Sequence, residues 1–260
     1  MTESLHVEST GHGPPLVLLH GWAMHSGLWG PIVPRLAQRY RVHAVDLPGH
    51  GYSPPMADFT LDGAANVIAE CFATIAAPLT VLGWSLGGLI AMRWALREGN
   101  RVGRIVLVAT TPRFVAGDNW PNAMSRDTLT RFGDELRVGW KLTVQRFLAL
   151  QVQGGEHGRA LLASLRKQVF ARGDPSPTAI FAALAALDET DMRAEIGGIT
   201  QPALVVSGSR DTLATPGAGR WLADHLSNAR FVLIEGAAHT PFLSHPQLFE
   251  RALNEFLDGR

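Results

Sequence analysis

Six short apolar runs, each set between stretches of helical spacing, limit most tightly how this chain can fold. They are Leu16–His20 (LVLLH), Val42–Asp46 (VHAVD), Leu79–Gly83 (LTVLG), Arg104–Ala109 (RIVLVA), Ala203–Gly208 (ALVVSG) and Arg230–Glu235 (RFVLIE). They are rich in β-branched residues and do not alternate with polar ones, the pattern of strands buried on both faces. Residues 60–77, 86–98, 217–227 and 246–257 carry helical patterns between and after them. Strand alternating with helix predicts an α/β fold: a mostly parallel central sheet flanked by helices.

The alternation breaks once. About ninety residues separate Val108 from Ala203, with helical patterns near 123–137, 140–153, 157–171 and 177–187. Gly154-Gly155, Gly173, Pro175 and Pro177 punctuate them. Residues 113–187 therefore read as a helical lid inserted into a core made of 1–112 and 188–260.

Charge and cysteine usage exclude several functions. Lys+Arg 23 against Asp+Glu 23 leaves no basic field for nucleic acid. The single cysteine, Cys71, excludes an internal disulfide framework and a Cys-rich zinc site. His20 and His25 lie at i, i+5 without a third ligand, so no metal is expected. The start, MTESLHVEST, lacks the cationic and apolar regions of a signal peptide. No apolar run approaches the roughly 18 residues needed to span a bilayer. The expectation is a soluble cytoplasmic protein with no membrane partner, and nothing demands more than a monomer. The balance hides one asymmetry: Arg113–Arg172 holds ten Lys/Arg and five Asp/Glu, a local +5. Such a surplus suits either solvated helix faces or a lid that meets an acidic partner.

Gly83-Trp84-Ser85-Leu86-Gly87 fits G-x-S-x-G, preceded by a strand-like run and followed by a helix-like one. In that context the serine stands on a sharp turn with its hydroxyl above the sheet edge, and small neighbours permit the turn. The helix behind it aims free N–H groups at the reaction centre. A serine hydroxyl needs a base, and the base needs an orienting acid. Asp211 and His239 each follow a predicted strand's C-terminal end, where ligands of open α/β sheets gather. The order Ser85, Asp211, His239 is the order this fold uses. Asp224 and Glu235 are alternative acids, the first mid-helix and the second closing a strand.

Acyl transfer builds negative charge on the former carbonyl oxygen, so two backbone N–H donors are expected there. Leu86, directly after the nucleophile, is one. Trp22, in the His20-Gly21-Trp22-Ala23 loop after the first predicted core strand, is the other. The Trp22 ring either walls the acyl pocket or packs in the core. His20 reads as a brace for this loop, and Asp46–Ser53 (DLPGHGYS) as a structural turn.

HGW, DLPGHGYS, GWSLGG, SGSRD and GAAHTPF together resemble the α/β-hydrolase superfamily over nearly the whole chain. More narrowly, LLHGWAM, GWSLGGL, DNWP, Arg146–Gln151 (RFLALQ) and AAHTPFLSHP are similar to the pimeloyl-[acyl-carrier protein] methyl ester carboxylesterases of biotin synthesis. That resemblance implies an α/β-hydrolase fold and a serine esterase that needs neither metal nor organic cofactor. It implies substrate contacts from Trp22, Ser85, Leu86 and His239, and from Phe147, Leu148, Ala149, Leu150 and Gln151 beneath the lid. The implied partner is acyl carrier protein, which is strongly acidic. Arg146, Arg159, Arg166 and Lys167 are the candidate contacts to it. Leu142 and Ala163 depart from the family, which places basic residues there. The residues alone leave two alternatives: a broad short-chain carboxylesterase and a non-catalytic ligand receptor on the same scaffold.

Overall fold

The structure is a computed structural model that describes residues 4–117, 119–153 and 158–259. Asp118 of DNWP, and Gly154 and Gly155, lie outside them. In chain order come β1 (Val7–Thr10), β2 (Pro15–Leu19), α1 (Val33–Leu36), β3 (Arg41–Val45), α2 (Leu61–Cys71), β4 (Leu79–Trp84), α3 (Leu86–Arg97) and β5 (Val102–Val108). There follow α4 (Arg126–Val152), α5 (Gly158–Gln168), α6 (Pro177–Glu189), β6 (Ala203–Gly208), α7 (Pro216–His225), β7 (Ala229–Ile234), α8 (Pro241–Ser244) and α9 (Pro246–Leu257).

The seven strands form one sheet in the order β1-β3-β2-β4-β5-β6-β7. Every pair is parallel except β1 with β3. The six apolar runs are the six parallel strands, each within two residues of its expected bounds. Their continuous hydrophobicity has a direct cause: Leu16–Leu19, Val81, Leu82 and Ile105–Val108 are fully buried beneath helices. Such side chains contribute about 1.5–3 kcal/mol each. β1 (VEST) has no apolar run to betray it. It is a largely exposed edge strand, held by backbone pairing with β3 and by the polar contacts of Ser9 with His43 and Glu8 with Arg172.

Between β5 and β6 the chain is helical. Ser125 caps α4 by accepting the Thr128 N–H, and Ser176 caps α6 at Ala179 with Pro177 in the first turn. The two helices expected here meet within α4 at Gly139, whose backbone leaves helical geometry (φ −160°, ψ 75°) and breaks the run with a kink. α6 continues to Glu189, two residues past the expected lid boundary.

Side chains tie this segment to the sheet. Arg172 Nη1 reaches Asp46 Oδ2 (3.2 Å) and Ser26 Oγ (2.9 Å), while Nη2 reaches Glu8 Oε1 (2.6 Å). His25 lies 2.7 Å from the Gln168 carbonyl. Asp46 is fully buried; burial raises its carboxyl, but the His20 ring and the Tyr52 and Ser26 N–H groups outweigh that and bring the pKa to about 2. No helix among the described residues is long and apolar enough to cross a membrane.

Candidate active site

Ser85 joins β4 to α3 at φ 55°, ψ −116°, a conformation that costs a non-glycine residue strain. Its surroundings hold it there. Its N–H donates to the Val108 carbonyl (3.0 Å), and its own carbonyl accepts from the Gly88 N–H (2.9 Å) and the Thr110 hydroxyl (2.8 Å). The flanking glycines are required by close approach. A Cβ on Gly83 would lie 2.2 Å from the Gly87 oxygen, and one on Gly87 would lie 2.2 Å from the Leu19 oxygen. Ala23 (φ 58°) and Ala109 (φ 45°) carry similar strain just past β2 and β5, so it gathers at the sheet's C-terminal edge.

Asp211 follows β6 and His239 follows β7. Their loops interlock: the Arg210 N–H donates to the Ala237 carbonyl (2.9 Å). Asp211 Oδ2 lies 2.8 Å from His239 Nδ1, and Oδ1 accepts from the N–H groups of Leu213 (2.8 Å) and Ala214 (3.1 Å). A carboxylate only accepts, so Nδ1 carries the proton and Nε2 is left with a lone pair. Both residues are buried. The peptide of His239 meets the elbow directly, since its carbonyl accepts from the indole Nε1–H of Trp84 (2.8 Å), the residue before Ser85. The alternative acids, Asp224 and Glu235, are exposed and do not touch this imidazole.

The loop after β2 lies against the serine: a Cβ on Gly21 would stand 3.3 Å from Ser85 Cβ. His20 braces that loop. Its Nδ1 is 2.8 Å from the Gly21 carbonyl and its Nε2 accepts from the Leu47 N–H (2.9 Å). Burial, with His50 beside it, lowers the His20 pKa to about 3, so the ring is neutral. Leu86 opens α3, and its N–H is one of those a helix start leaves without an intrahelical acceptor. Trp22 Nε1–H donates to the Ile180 carbonyl of α6 (2.9 Å).

Beside Trp22 lies a narrow cavity of about 40 Å³, walled by Trp22, Phe132, Phe147, Leu150, Leu184 and their neighbours, with no charged group among its walls. The rings of Trp22, Phe132 and Phe147 meet pairwise at 5.2–5.6 Å. Of the five consecutive residues expected to face substrate, Phe147 and Leu150 line this cavity, whereas Leu148 and Ala149 do not. Leu148 is fully buried off the cavity wall. Gln151 acts elsewhere: its carbonyl accepts from the His239 N–H (3.0 Å), and its buried side-chain Oε1 has no hydrogen-bond partner. The nucleophile's turn, the paired imidazole and carboxylate, and the Trp22 loop beside an apolar cavity thus gather at the C-terminal edge of the sheet.

A family model for the alpha/beta hydrolase fold matches residues 14–246. The chain belongs to the α/β-hydrolase family. Within that family it is 46% identical over 246 residues (95% of this chain, 96% of the relative) to a pimeloyl-[acyl-carrier protein] methyl ester esterase of Nitrosomonas europaea. It is 44% identical over 255 residues, 98% of each chain, to the protein of the same name from Chromobacterium violaceum. Among solved structures, an esterase from Exiguobacterium antarcticum superposes with a TM-score of 0.90 across 98% of this chain and 95% of that one, at 23% identity. A hydrolase from Pseudomonas aeruginosa PA01 gives 0.80 at 26% identity, over 97% and 94% of the two chains.

The cations of this hydrolase divide in two. Arg146 pairs with Glu135 (3.2 Å), whereas Arg159, Arg166 and Lys167 are exposed and make no ion pair among the described residues. Leu142 is half exposed beside them in sequence, an apolar group on an outer face. No group of three or more His, Cys, Asp or Glu among the described residues is placed to hold a metal ion. The sequence reading missed Phe132 and Leu184 in the cavity wall, although their helical stripes were visible. It also missed Arg172, whose partners lie 126 and 164 residues away and leave no local signal.

Proposed function

We propose that this protein is a serine carboxylesterase that hydrolyses the methyl ester of a pimeloyl chain carried on acyl carrier protein, in biotin synthesis, as a cytoplasmic monomer without a cofactor. Ser85 Oγ attacks the ester carbonyl carbon as His239 Nε2 takes its proton. The tetrahedral oxyanion is held by the N–H groups of Leu86 and Trp22, each worth about 3 kcal/mol to the transition state. Asp211 keeps the ring in the tautomer that can accept and stabilises the imidazolium. Collapse breaks the bond to methoxide, which leaves as methanol with the proton from His239. Water, deprotonated by the same ring, then releases a free carboxylate and restores Ser85.

Residues 113–187 form the lid over this site. Trp22, Phe147 and Leu150 guide the methylene chain, at about 0.8 kcal/mol per buried CH₂. Arg159, Arg166 and Lys167 face the acidic carrier, with Arg146 beside them in its Glu135 pair. The observation that carries this reading is the 46% identity to the Nitrosomonas europaea relative across 95% of the chain. The test compares hydrolysis of the carrier-bound methyl ester with that of a free short-chain ester. A clear preference for the carrier substrate, with rescue of a biotin-requiring strain lacking its own esterase, is expected. Equal or lower activity on the carrier substrate makes the protein a broad short-chain esterase. Ligand binding without turnover makes it a receptor.

A further inference from the structure

The His239 ring does the chemistry, but the peptide that bears it decides where the ring stands. That peptide is gripped on both sides. Its N–H donates to the Gln151 carbonyl at the end of α4 (3.0 Å), and its carbonyl accepts from Trp84 Nε1–H (2.8 Å). Trp84 is itself immobilised: it is 1% exposed, and its ring packs at 5.2 Å from Phe242, 5.8 Å from the imidazole and 6.3 Å from Trp29.

Asp211 fixes the tautomer and holds the far side of the ring, yet it follows a different strand from the serine. Trp84 is bonded to Ser85 through a single peptide. Its indole therefore closes a short circuit that contains both the nucleophile and the carrier of the base. The motif leaves this position free, because its steric demands fall on Gly83 and Gly87.

We infer that Trp84 is a positioning residue for the base: its indole N–H sets the place of the His239 peptide relative to Ser85. The inference rests on the reading of Ser85 and His239 as nucleophile and base. The competing role is packing alone, which any flat aromatic of that size would fill.

Two variants separate these roles. Trp84→Phe removes the donor and part of the ring. Site-specific replacement of Trp84 by 3-benzothienylalanine keeps the bicyclic shape and puts sulfur where the N–H stood. Each is assayed with p-nitrophenyl butyrate for kcat and KM, and with a serine-directed phosphonate for the rate of single-step attack by Ser85. Both variants are expected to lose about tenfold in kcat, the effect of a base shifted slightly out of line with its proton. KM stays within twofold, and the phosphonylation rate falls by the same factor as kcat. The benzothienyl protein stays folded and melts no more than about 12 °C below the parent, the loss an unpartnered buried carbonyl costs. A benzothienyl protein with parental kcat overturns the inference, whatever Trp84→Phe does, because packing is then sufficient. Turnover that survives Ser85→Ala strikes the catalytic reading instead, and the two failures are told apart by that control.

Discussion

A Cβ placed on Gly87, at the C-terminal edge of the sheet, falls 2.2 Å from a carbonyl oxygen, whereas one placed on Gly139, midway along α4, meets nothing within 4 Å. The same contrast runs through the side chains. At the sheet edge each Asp211 oxygen is bonded, the strained turn at Ser85 is tied on both faces, and the neighbouring histidines are buried. On the outer face of α4, Val138 is 92% exposed, and Arg137 and Arg146 find their carboxylates at the open surface. Backbone contact dictates the first region, which tolerates almost no change. Solvent-exposed charge shapes the second, where exchange is cheap.

The contrast fails most visibly if the sheet edge tolerates substitution. Ser85→Ala is expected to lower kcat about 10⁶-fold and Asp211→Asn about 10⁴-fold, with melting temperatures near the parent's. Ester-hydrolysis kinetics beside thermal melts measure both. Gly87→Ala should abolish soluble expression or destabilise by at least about 3 kcal/mol, because backbone must move; Gly139→Ala should stay within about 1 kcal/mol. A urea titration reads the pair, and similar values for the two would erase the distinction.

Arg172 belongs to the α4–α6 region by sequence and to the sheet edge by environment, so it sharpens the boundary. Arg172→Met leaves buried Asp46 without its cation and should cost about 3 kcal/mol, roughly 6–12 °C in melting temperature. Arg137→Met, which breaks an open pair with Asp134, should cost less than about 1 kcal/mol.

Acid should expose the same boundary. Burial lowers His20 to about 3 and His50 to about 4, whereas imidazoles of the unfolded chain take up protons near about 6.5. The unfolded state therefore binds more protons throughout that window, and stability falls as pH drops from about 6.5 toward 4. Asp46, lowered to about 2, adds loss of the same sign only once pH falls below its ordinary value of 3.8. A melting temperature that is flat between pH 6.5 and 4.5 contradicts this. The smallest effect is expected outside: reversing Arg159, Arg166 and Lys167 to Glu should lower kcat/KM for the carrier substrate relative to a free ester by about tenfold at low salt. The deficit should shrink as ionic strength rises.

How legible each region was follows from the same physics. GWSLGG could be read because close backbone contact leaves glycine no substitute, and the interior strands because double-sided burial forbids polar residues, while β7 at the far edge kept an apolar run though it is only half-buried. β1 could not be, since VEST pairs through its backbone and carries no apolar face. The break between the helical patterns at 123–137 and 140–153 was legible, and α4 keeps it as the kink at Gly139. His239 and Asp211 were placed by their position after strands, but the grip of Trp84 on the His239 carbonyl spans 155 residues and has no local mark. Along Phe147–Gln151, the sequence could name the stretch but not its rotation, so only two of its members face the cavity.

One bond described above reaches further than its length suggests. In the proposed mechanism Trp22 gives a backbone donor to the reacting oxygen, and its indole is fastened to Ile180 on α6. Any ligand that pries α6 away must pull on the same residue that is to receive the developing charge. Admission of the chain and readiness for chemistry are thus geared together through one tryptophan, and a loosely seated guest meets a mistuned anion cradle.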